Sequence, residues 1–250
     1  MAGYKTEDIR NIALVGHGGT GKTTLADLFL FKTGVNNRAG SVDDGSSLFD
    51  IDDDEKERKS SITSSLGHIT HNGKRINFVD TPGYPDFTGQ VTGAIAAVET
   101  ALCLISATSG VEVNTRRVFH LAGDAGIGRV IALNRCGGDN IDFAQVVADI
   151  QESFGKQCIP INVPNDVGSA FSSVQSTLGG GSEYSQALTD SIVEADEELM
   201  EKYLETEELS DEEAAAGIAK AIAAGTLVPI FCVSGRQDIG VDELLDGITS

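Results

Sequence analysis

A short segment near the start of the chain has the residue types and spacing that bind phosphate. Residues 16–23 read GHGGTGKT and match the pattern G-x-x-x-x-G-K-[ST]. Glycines allow successive backbone N–H groups to converge on phosphate oxygens, because no Cβ atom blocks their approach. The apolar run at 12–16 and the helical apolar spacing at 25–32 predict a strand before this loop and a helix after it, and the helix N-terminus also favours an anion.

The same segment could supply the charge and a metal ligand for a nucleoside triphosphate. Lys22 is expected to reach the β- and γ-phosphates and to act in catalysis, and the Thr23 hydroxyl is expected to bind Mg²⁺. The loop residues expected to contact the nucleotide are His17, Gly18, Gly19, Thr20, Gly21, Lys22, Thr23 and Thr24.

A second motif, DTPG at residues 80–83, ends the apolar run INFVD. A strand-end carboxylate near a phosphate loop is where proteins of this kind hold a second Mg²⁺-linked group, so Asp80 is expected at the metal. Pro82 and Gly83 predict a sharp turn. The Gly83 N–H is therefore expected to meet the γ-phosphate.

The composition narrows the classes of function open to this chain. The 250 residues carry a net charge of −20, so a broad basic face for nucleic acid is excluded and no direct sequence-specific nucleic-acid binding is expected. Short apolar runs and a charged N-terminus predict neither a membrane span nor a signal peptide. The four cysteines form no C-x-x-C pair, which favours reduced thiols in a cytoplasmic protein. The histidines show no metal-ligand spacing.

Strand-like and helix-like segments alternate along the chain, with an Asn72-Gly73 hairpin turn near its start. The sequence predicts strands at 12–16, 61–71, 74–80, 101–107, 129–134 and 228–234. It predicts helices near 25–32, 88–99, 113–125 and 142–154, and a long mobile loop at 34–59. This order indicates an α/β fold, a doubly wound and mostly parallel sheet with helices on both faces and one antiparallel hairpin strand.

Residues 158–183 interrupt this alternation and predict a short insert of loop or helix. They include Gly179-Gly180-Gly181-Ser182, a linker-like composition that fits either a natural loop or a splice in place of a longer insert. Two extra helices are expected to follow, over 183–204 and from the capping-box pattern at 210–213 to 224. We expect one domain over residues 1–250.

Six segments, in order, resemble the GTPase domain of bacterial translation elongation factor G, and more closely its elongation factor G-like paralogues. They read GHGGTGKTT, ERKSSITSS, DTPGYPDF, NRCGGDNIDF, EELMEKYLETEELSDEE and VSGRQDIGVDELLDGI. The resemblance covers nearly the whole chain. It implies a P-loop domain that binds GTP or GDP with Mg²⁺ and acts on the ribosome, and the family's downstream domains are expected to be absent here.

Two residues of the resemblance depart from the family's switch pattern. The family's R-G-I-T-I overlays residues 58–62 and puts Ser61 at the Mg²⁺-binding threonine, with Thr63 as the other register. The family's D-T-P-G-H puts Tyr84 at the water-orienting histidine. A phenol with an ordinary pKa of about 10 is a poor proton acceptor at neutral pH, which implies slow intrinsic hydrolysis at this candidate catalytic position.

The base-reading segments depart as well. The family's N-K-x-D overlays Asn134, Arg135 and, at the carboxylate, Gly137; Asp139 could serve only if the loop shifts by two residues. Losing that carboxylate would cost guanine recognition about 1.5–3 kcal/mol for each contact. The family's S-A-x overlays Ser234, Gly235 and Arg236, where a backbone N–H meets guanine.

Three hypotheses of function fit these residues. The first is a translation-factor GTPase with weak intrinsic hydrolysis, and the second is a non-hydrolysing nucleotide-binding regulator, favoured by Tyr84 and Gly137. The third is a P-loop ATPase of the partitioning or reductase kind. Such ATPases need a lysine directly after the first glycine, where this chain has His17, and the hairpin that leads into DTPG also favours a GTPase.

Overall fold

Seven strands form one sheet built on the apolar runs, and two more form a small ribbon. The structure, a computed structural model, describes residues 3–178, 180–206 and 209–249. Its strands are, in chain order, β1 (Ile9–Gly16), β2 (Ser65–His71), β3 (Lys74–Asp80), β4 (Thr100–Ser106), β5 (Gly128–Asn134), β6 (Cys158–Pro160), β7 (Asn162–Pro164), β8 (Val174–Ser176) and β9 (Val228–Cys232).

The strand order across the main sheet is β2-β3-β1-β4-β5-β9-β6. Only β2 runs antiparallel to its neighbour, and it is joined to β3 by Asn72 and Gly73, which have φ values of 48° and 76°. Two residues with positive φ match the twist of a tight hairpin. Because β1, β3, β4, β5 and β9 are parallel, their carboxyl ends meet at one edge of the sheet.

Helices cover both faces of the sheet. They are α1 (Lys22–Lys32), α2 (Asp53–Arg58), α3 (Thr88–Ile95), α4 (Val113–Asp124), α5 (Phe143–Phe154), α6 (Ser185–Glu194), α7 (Glu197–Thr206), α8 (Asp211–Ala224) and α9 (Val241–Thr249). Ala13 and Val15 of β1 pack towards α3, α4 and α5, whereas Ile12 and Leu14 pack towards α1 and α9. This period of two, buried on both sides, is the pattern of a covered parallel strand. The predicted fold class is confirmed.

Several predicted boundaries differ from the structure. The first hairpin strand begins at Ser65 rather than at residue 61, and the stretch predicted as a loop at 34–59 contains α2. The region 158–183 was predicted as an insert of loop or helix, but it supplies β6 to the main sheet and forms the β7–β8 ribbon. These strands were not predicted because three residues are too few to show a period of two. Gly179 lies outside the described residues.

The single helix predicted over 183–204 is two helices. Oδ1 of Asp196 accepts hydrogen bonds from the backbone N–H groups of Glu198 (3.0 Å) and Leu199 (3.5 Å), and its other oxygen pairs with Lys220 of α8. A carboxylate that caps N–H groups in this way starts a new helix. Within the described residues, the cysteines are all free and buried, and no helix is both long and apolar enough to cross a membrane.

Candidate functional site

The loop between β1 and α1 has glycine at two points where a side chain has no room. Gly16 has a φ of 140°, and a Cβ atom there would lie 2.5 Å from the backbone oxygen of Leu104. Gly21 has a φ of 96°, and its Cβ atom would lie 2.4 Å from Nδ2 of Asn134. Glycine at both positions lets the loop close over the edge of the sheet. The N-terminus of α1 then opens into a cavity of about 560 Å³.

Lys22 is the first residue of α1, and its ammonium group lies inside this loop. Nζ donates hydrogen bonds to the backbone oxygens of Gly16 (3.1 Å) and His17 (2.8 Å). Burial lowers the pKa of Lys22 to about 8, and the nearby Asp80 carboxylate opposes that shift. A buried cation at a helix N-terminus attracts an anion, so the geometry of the loop is suited to phosphate.

Side chains from three segments meet at Thr23. Its Oγ1 donates to Oδ2 of Asp80 (2.7 Å) and lies 3.1 Å from Oγ of Ser61. Ser61 in turn donates to Oδ1 of Asp50 (2.8 Å). The contacts join the start of α1, the end of β3 and the segment before β2. Thr63, which the other register would place at this position, instead donates hydrogen bonds from its N–H and its hydroxyl to the Glu55 carboxylate.

Three buried carboxylates each have an oxygen without a hydrogen-bond partner among the described residues: Oδ2 of Asp27, Oδ2 of Asp50 and Oδ1 of Asp80. Asp80 is bonded to Thr23 directly and Asp50 through Ser61, whereas Asp27 lies one turn further along α1. Burial raises the pKa of Asp80 to about 7, against the hydrogen bond from Thr23 and the charge of Lys22. Unpaired carboxylate oxygens beside a hydroxyl fit a hard cation such as Mg²⁺. No group of three or more acidic, His or Cys residues among those described is arranged to hold a metal alone, so phosphate oxygens would have to complete its coordination.

The turn after Asp80 is pressed against the phosphate loop. The Thr81 hydroxyl donates to the backbone oxygen of Leu14 (2.7 Å), and Nδ2 of Asn114 donates to that of Gly83 (2.8 Å). A Cβ atom at Gly83 would lie 2.6 Å from both the Gly18 nitrogen and Nζ of Lys22. The backbone at Gly83 therefore lies directly against the loop and Nζ of Lys22.

The Tyr84 ring lies over the loop. A Cβ atom at Gly18 would be 3.1–3.3 Å from three ring carbons of Tyr84. The tyrosine is 45% exposed, so the opposite side of the ring faces solvent. This position covers the loop from outside.

Glu55 of α2 organises the segment that carries Ser61. The residue is fully buried, and its carboxylate accepts hydrogen bonds from the backbone N–H groups of Ile51 (2.9 Å), Asp52 (3.1 Å), Ile62 (2.8 Å) and Thr63 (3.1 Å). Burial alone would raise the pKa of Glu55, but these hydrogen bonds lower it below its ordinary value. Glu55 thereby fixes the register that places Ser61 beside Thr23.

A second cavity, of about 500 Å³, adjoins the loop and is lined by the predicted base-reading residues Asn134, Arg135, Gly137, Ser234 and Arg236, with Thr24. Nδ2 of Asn134 donates to the backbone oxygen of Thr20 (2.8 Å), and its Oδ1 accepts from the N–H groups of Arg135 (2.9 Å) and Gly235 (3.1 Å). Asn134 thus joins the phosphate loop to the loop after β9.

The charged residues around this second cavity are exposed. Asp139 lies outside the set of residues that line it. Arg135 has a φ of 66°, and Arg236 forms an ion pair with Asp43 (2.5 Å) that bridges the mouth of the cleft. No carboxylate lines this cavity among the described residues.

The histidines lie at separate places in the fold. His17 is in the phosphate loop, with Nε2 3.4 Å from the carboxylate of Glu112, and His71 is 2.7 Å from Asp246. His68 lies on β2 and His120 on α4, where its ring is near Phe119.

Five side chains of the site were missed by the sequence predictions: Asp27, Asp50, Asn114, Thr108 and Gln237. Asp27 could have been found, because it stands four residues after Thr23 on an otherwise apolar helix and so shares its face. Asn114 is likewise a polar residue on the buried face of α4. Asp50, Thr108 and Gln237 carry no such local signal.

Two comparisons relate this chain to known proteins. The sequence model of the elongation factor Tu GTP binding domain matches residues 7–250. A crystal structure of a protein from Thermus thermophilus has a TM-score of 0.90 and 31% sequence identity to this chain, and the match covers 97% of this chain and 40% of that one. The chain thus spans less than half of the length of that protein.

Asp80→Asn should stabilise the metal-free protein above neutral pH. The folded pKa of about 7 exceeds the ordinary value of 3.8, so ionised Asp80 destabilises the fold; this penalty is absent below pH 3.8, grows up to pH 7 and is full above it. The gain at pH 8 should be on the order of a few kcal/mol. Urea unfolding in chelator at pH 4 and pH 8 measures it, with the exposed Asp86→Asn as control. Equal free energies of unfolding for wild type and variant at pH 8 would contradict a raised pKa at Asp80.

Glu55→Gln should loosen the segment around Ser61 while α1 and the sheet stay protected. An amide nitrogen cannot accept the N–H groups that Glu55 binds, and losing a charged acceptor costs about 1–3 kcal/mol. Hydrogen exchange of the amides at 51, 52, 62 and 63 should accelerate at least about tenfold. Glu57→Gln, on the exposed side of the same helix, is the control, and the same acceleration in both variants would count against Glu55 as the organising residue.

Proposed function

Because the chain belongs to the elongation factor Tu GTP binding domain family, we propose that its cleft binds GTP and GDP with Mg²⁺, that it hydrolyses GTP slowly on its own, and that it acts on the ribosome as part of a longer protein. The observation that carries the proposal is the meeting of Thr23, Ser61 and Asp80 beside the buried Lys22. This arrangement supports a metal-bridged triphosphate better than an isolated phosphate.

Each polar group of the cleft has a role in this proposal. Lys22 neutralises the β- and γ-phosphates, and the backbone of the loop at 17–24 cradles them. Thr23, Ser61 and Asp80 hold Mg²⁺, which neutralises charge on the phosphates when it is bound. The Gly83 N–H, held by the hydrogen bond from Asn114 to the Gly83 oxygen, faces the terminal phosphate.

Nucleotide binding and the order of residues 51–63, here called the switch segment, are coupled through Ser61. A bound Mg²⁺ would attract the Ser61 oxygen. Because Glu55 binds the backbone N–H groups of Ile51, Ile62 and Thr63, holding Ser61 would also hold residues 51–63 in place. Without a γ-phosphate and metal the segment keeps only its protein contacts. This is an order-to-disorder switch of the kind used by nucleotide-dependent proteins.

A non-hydrolysing nucleotide sensor is the second candidate, and Tyr84 favours it. Attack on a γ-phosphate needs a positioned water, and the Tyr84 ring lies against Gly18 with its other side in solvent. A phenol in that place covers the loop, but it is a poor acceptor for a proton from the attacking water. The family match gives no comparable support to the ATPase hypothesis.

Lys22→Ala should abolish tight binding of GDP and GTP without unfolding the protein, because the hydrogen bonds that Nζ makes within the described residues go to two loop carbonyls, those of Gly16 and His17. Calorimetric titration in Mg²⁺ measures the loss, and circular dichroism checks the fold. Lys156→Ala, at an exposed lysine after α5, is the matched control. Retention of wild-type affinity in Lys22→Ala would refute the phosphate site.

Tyr84→Phe should leave the hydrolysis rate of the isolated protein nearly unchanged, because a phenol is a poor proton acceptor at neutral pH and is not expected to orient the attacking water. Single-turnover hydrolysis of GTP in Mg²⁺ should proceed far below about 1 per second, the lower range of ordinary enzyme turnover. A rate near that value that disappears in Tyr84→Phe would make Tyr84 catalytic and exclude the sensor.

A further inference from the structure

The side chain of Gln237 occupies the space directly in front of Gly137. A Cβ atom built at Gly137 would lie 2.4 Å from Oε1 of Gln237, 3.2 Å from its Cδ and 3.4 Å from its Nε2. The carboxamide therefore stands where a side chain at position 137 would begin. It lines both the phosphate cleft and the second cavity, so it borders the path from the phosphates to the base.

The carboxamide is held in place by Ser234. The Ser234 hydroxyl donates to Oε1 of Gln237 (3.0 Å), and the Gln237 N–H donates to the Ser234 hydroxyl and backbone oxygens (3.3 and 3.2 Å). Nε2 of Gln237 makes no hydrogen bond to another described residue. Gln237 is exposed and lines the second cavity, and its carboxamide keeps one free lone pair on Oε1 and both donors on Nε2, so it can still pair with a ligand there.

Purines differ at the edge that such a group would meet. Guanine offers two donors, N1–H and the 2-amino group; hypoxanthine offers N1–H alone; xanthine offers N1–H beside an O2 acceptor. A carboxylate only accepts, whereas a carboxamide has one acceptor and two donor N–H groups. A carboxamide can therefore pair with N1–H and O2 of xanthine together, but its N–H opposes the 2-amino group of guanine.

We propose that Gln237 is the residue that reads the N1 and C2 edge of the bound purine, in place of a carboxylate at position 137. The proposal rests on the proposed function, since it assumes that the nucleotide lies in the phosphate loop with its base in the second cavity. An uncharged carboxamide at this place would let the site bind 6-oxopurines in general, without selecting guanine.

The test compares dissociation constants for GDP, IDP and XDP in Mg²⁺, measured by calorimetry on the wild type, Gln237→Glu and Gln237→Ala. Wild type should bind GDP and IDP within a few-fold of each other and should bind XDP more tightly than either. Gln237→Glu should shift the preference from XDP towards GDP at least about tenfold, because its carboxylate pairs with both guanine donors. Gln237→Ala should erase the preference for XDP.

The ratios among the three nucleotides, not the absolute affinities, decide the outcome, because a new charge near the phosphates weakens all three alike. Asp139→Asn is the control for the other nearby carboxylate and should leave the ratios unchanged. If the ratios respond to Asp139→Asn, or stay the same in both Gln237 variants while Lys22→Ala abolishes GDP binding, this proposal alone is overturned. If the wild type binds none of the three, the proposed function falls and this proposal falls with it.

Discussion

The hydrogen bond from Thr23 to Asp80, 2.7 Å long and partly buried, joins the start of α1 to the end of β3. It exists because β1 and β3 are parallel neighbours, which brings the loop after one strand to the carboxyl end of the other. Lys22, Ser61 and Asp50 are arranged around this pair. The protein thereby keeps one cation and several carboxylate oxygens away from water at a single point. That arrangement is costly unless a ligand of complementary charge binds there.

The same point joins the covered sheet to the segment before β2. Thr23 and Asp80 belong to the covered sheet and its first helix, whereas Ser61 belongs to a segment held mainly by the carboxylate of Glu55. A metal ion bound by Thr23, Asp80 and Ser61 would link these two parts of the fold. Under the proposed function, occupancy of the nucleotide cleft would change the order of residues 51–63, which Glu55 holds.

The sequence predicted the parts of the site that are local in the chain. The phosphate loop and Asp80 lie in continuous motifs, so their positions follow from strand, loop and helix order. The sequence predicted Ser61 and left Thr63 as the other register, because the register depends on α2 and on the buried Glu55, whose contacts are set by tertiary structure. Gln237 could not be paired with Gly137, since the parallel alignment of β5 and β9 alone brings these distant loops together. The break before α7 was missed because Asp196 caps it within an otherwise helical pattern.

A crystal structure of the protein with Mg²⁺ and a non-hydrolysable GTP analogue tests the central claim most directly. We expect the phosphates to lie in the loop at 16–23 and Nζ of Lys22 to leave the Gly16 and His17 oxygens for the phosphate oxygens. We also expect one Mg²⁺ among Thr23, Ser61 and Asp80. A nucleotide bound elsewhere, or phosphates in the loop with Lys22 still on its carbonyls and no metal at Thr23, would contradict the claim.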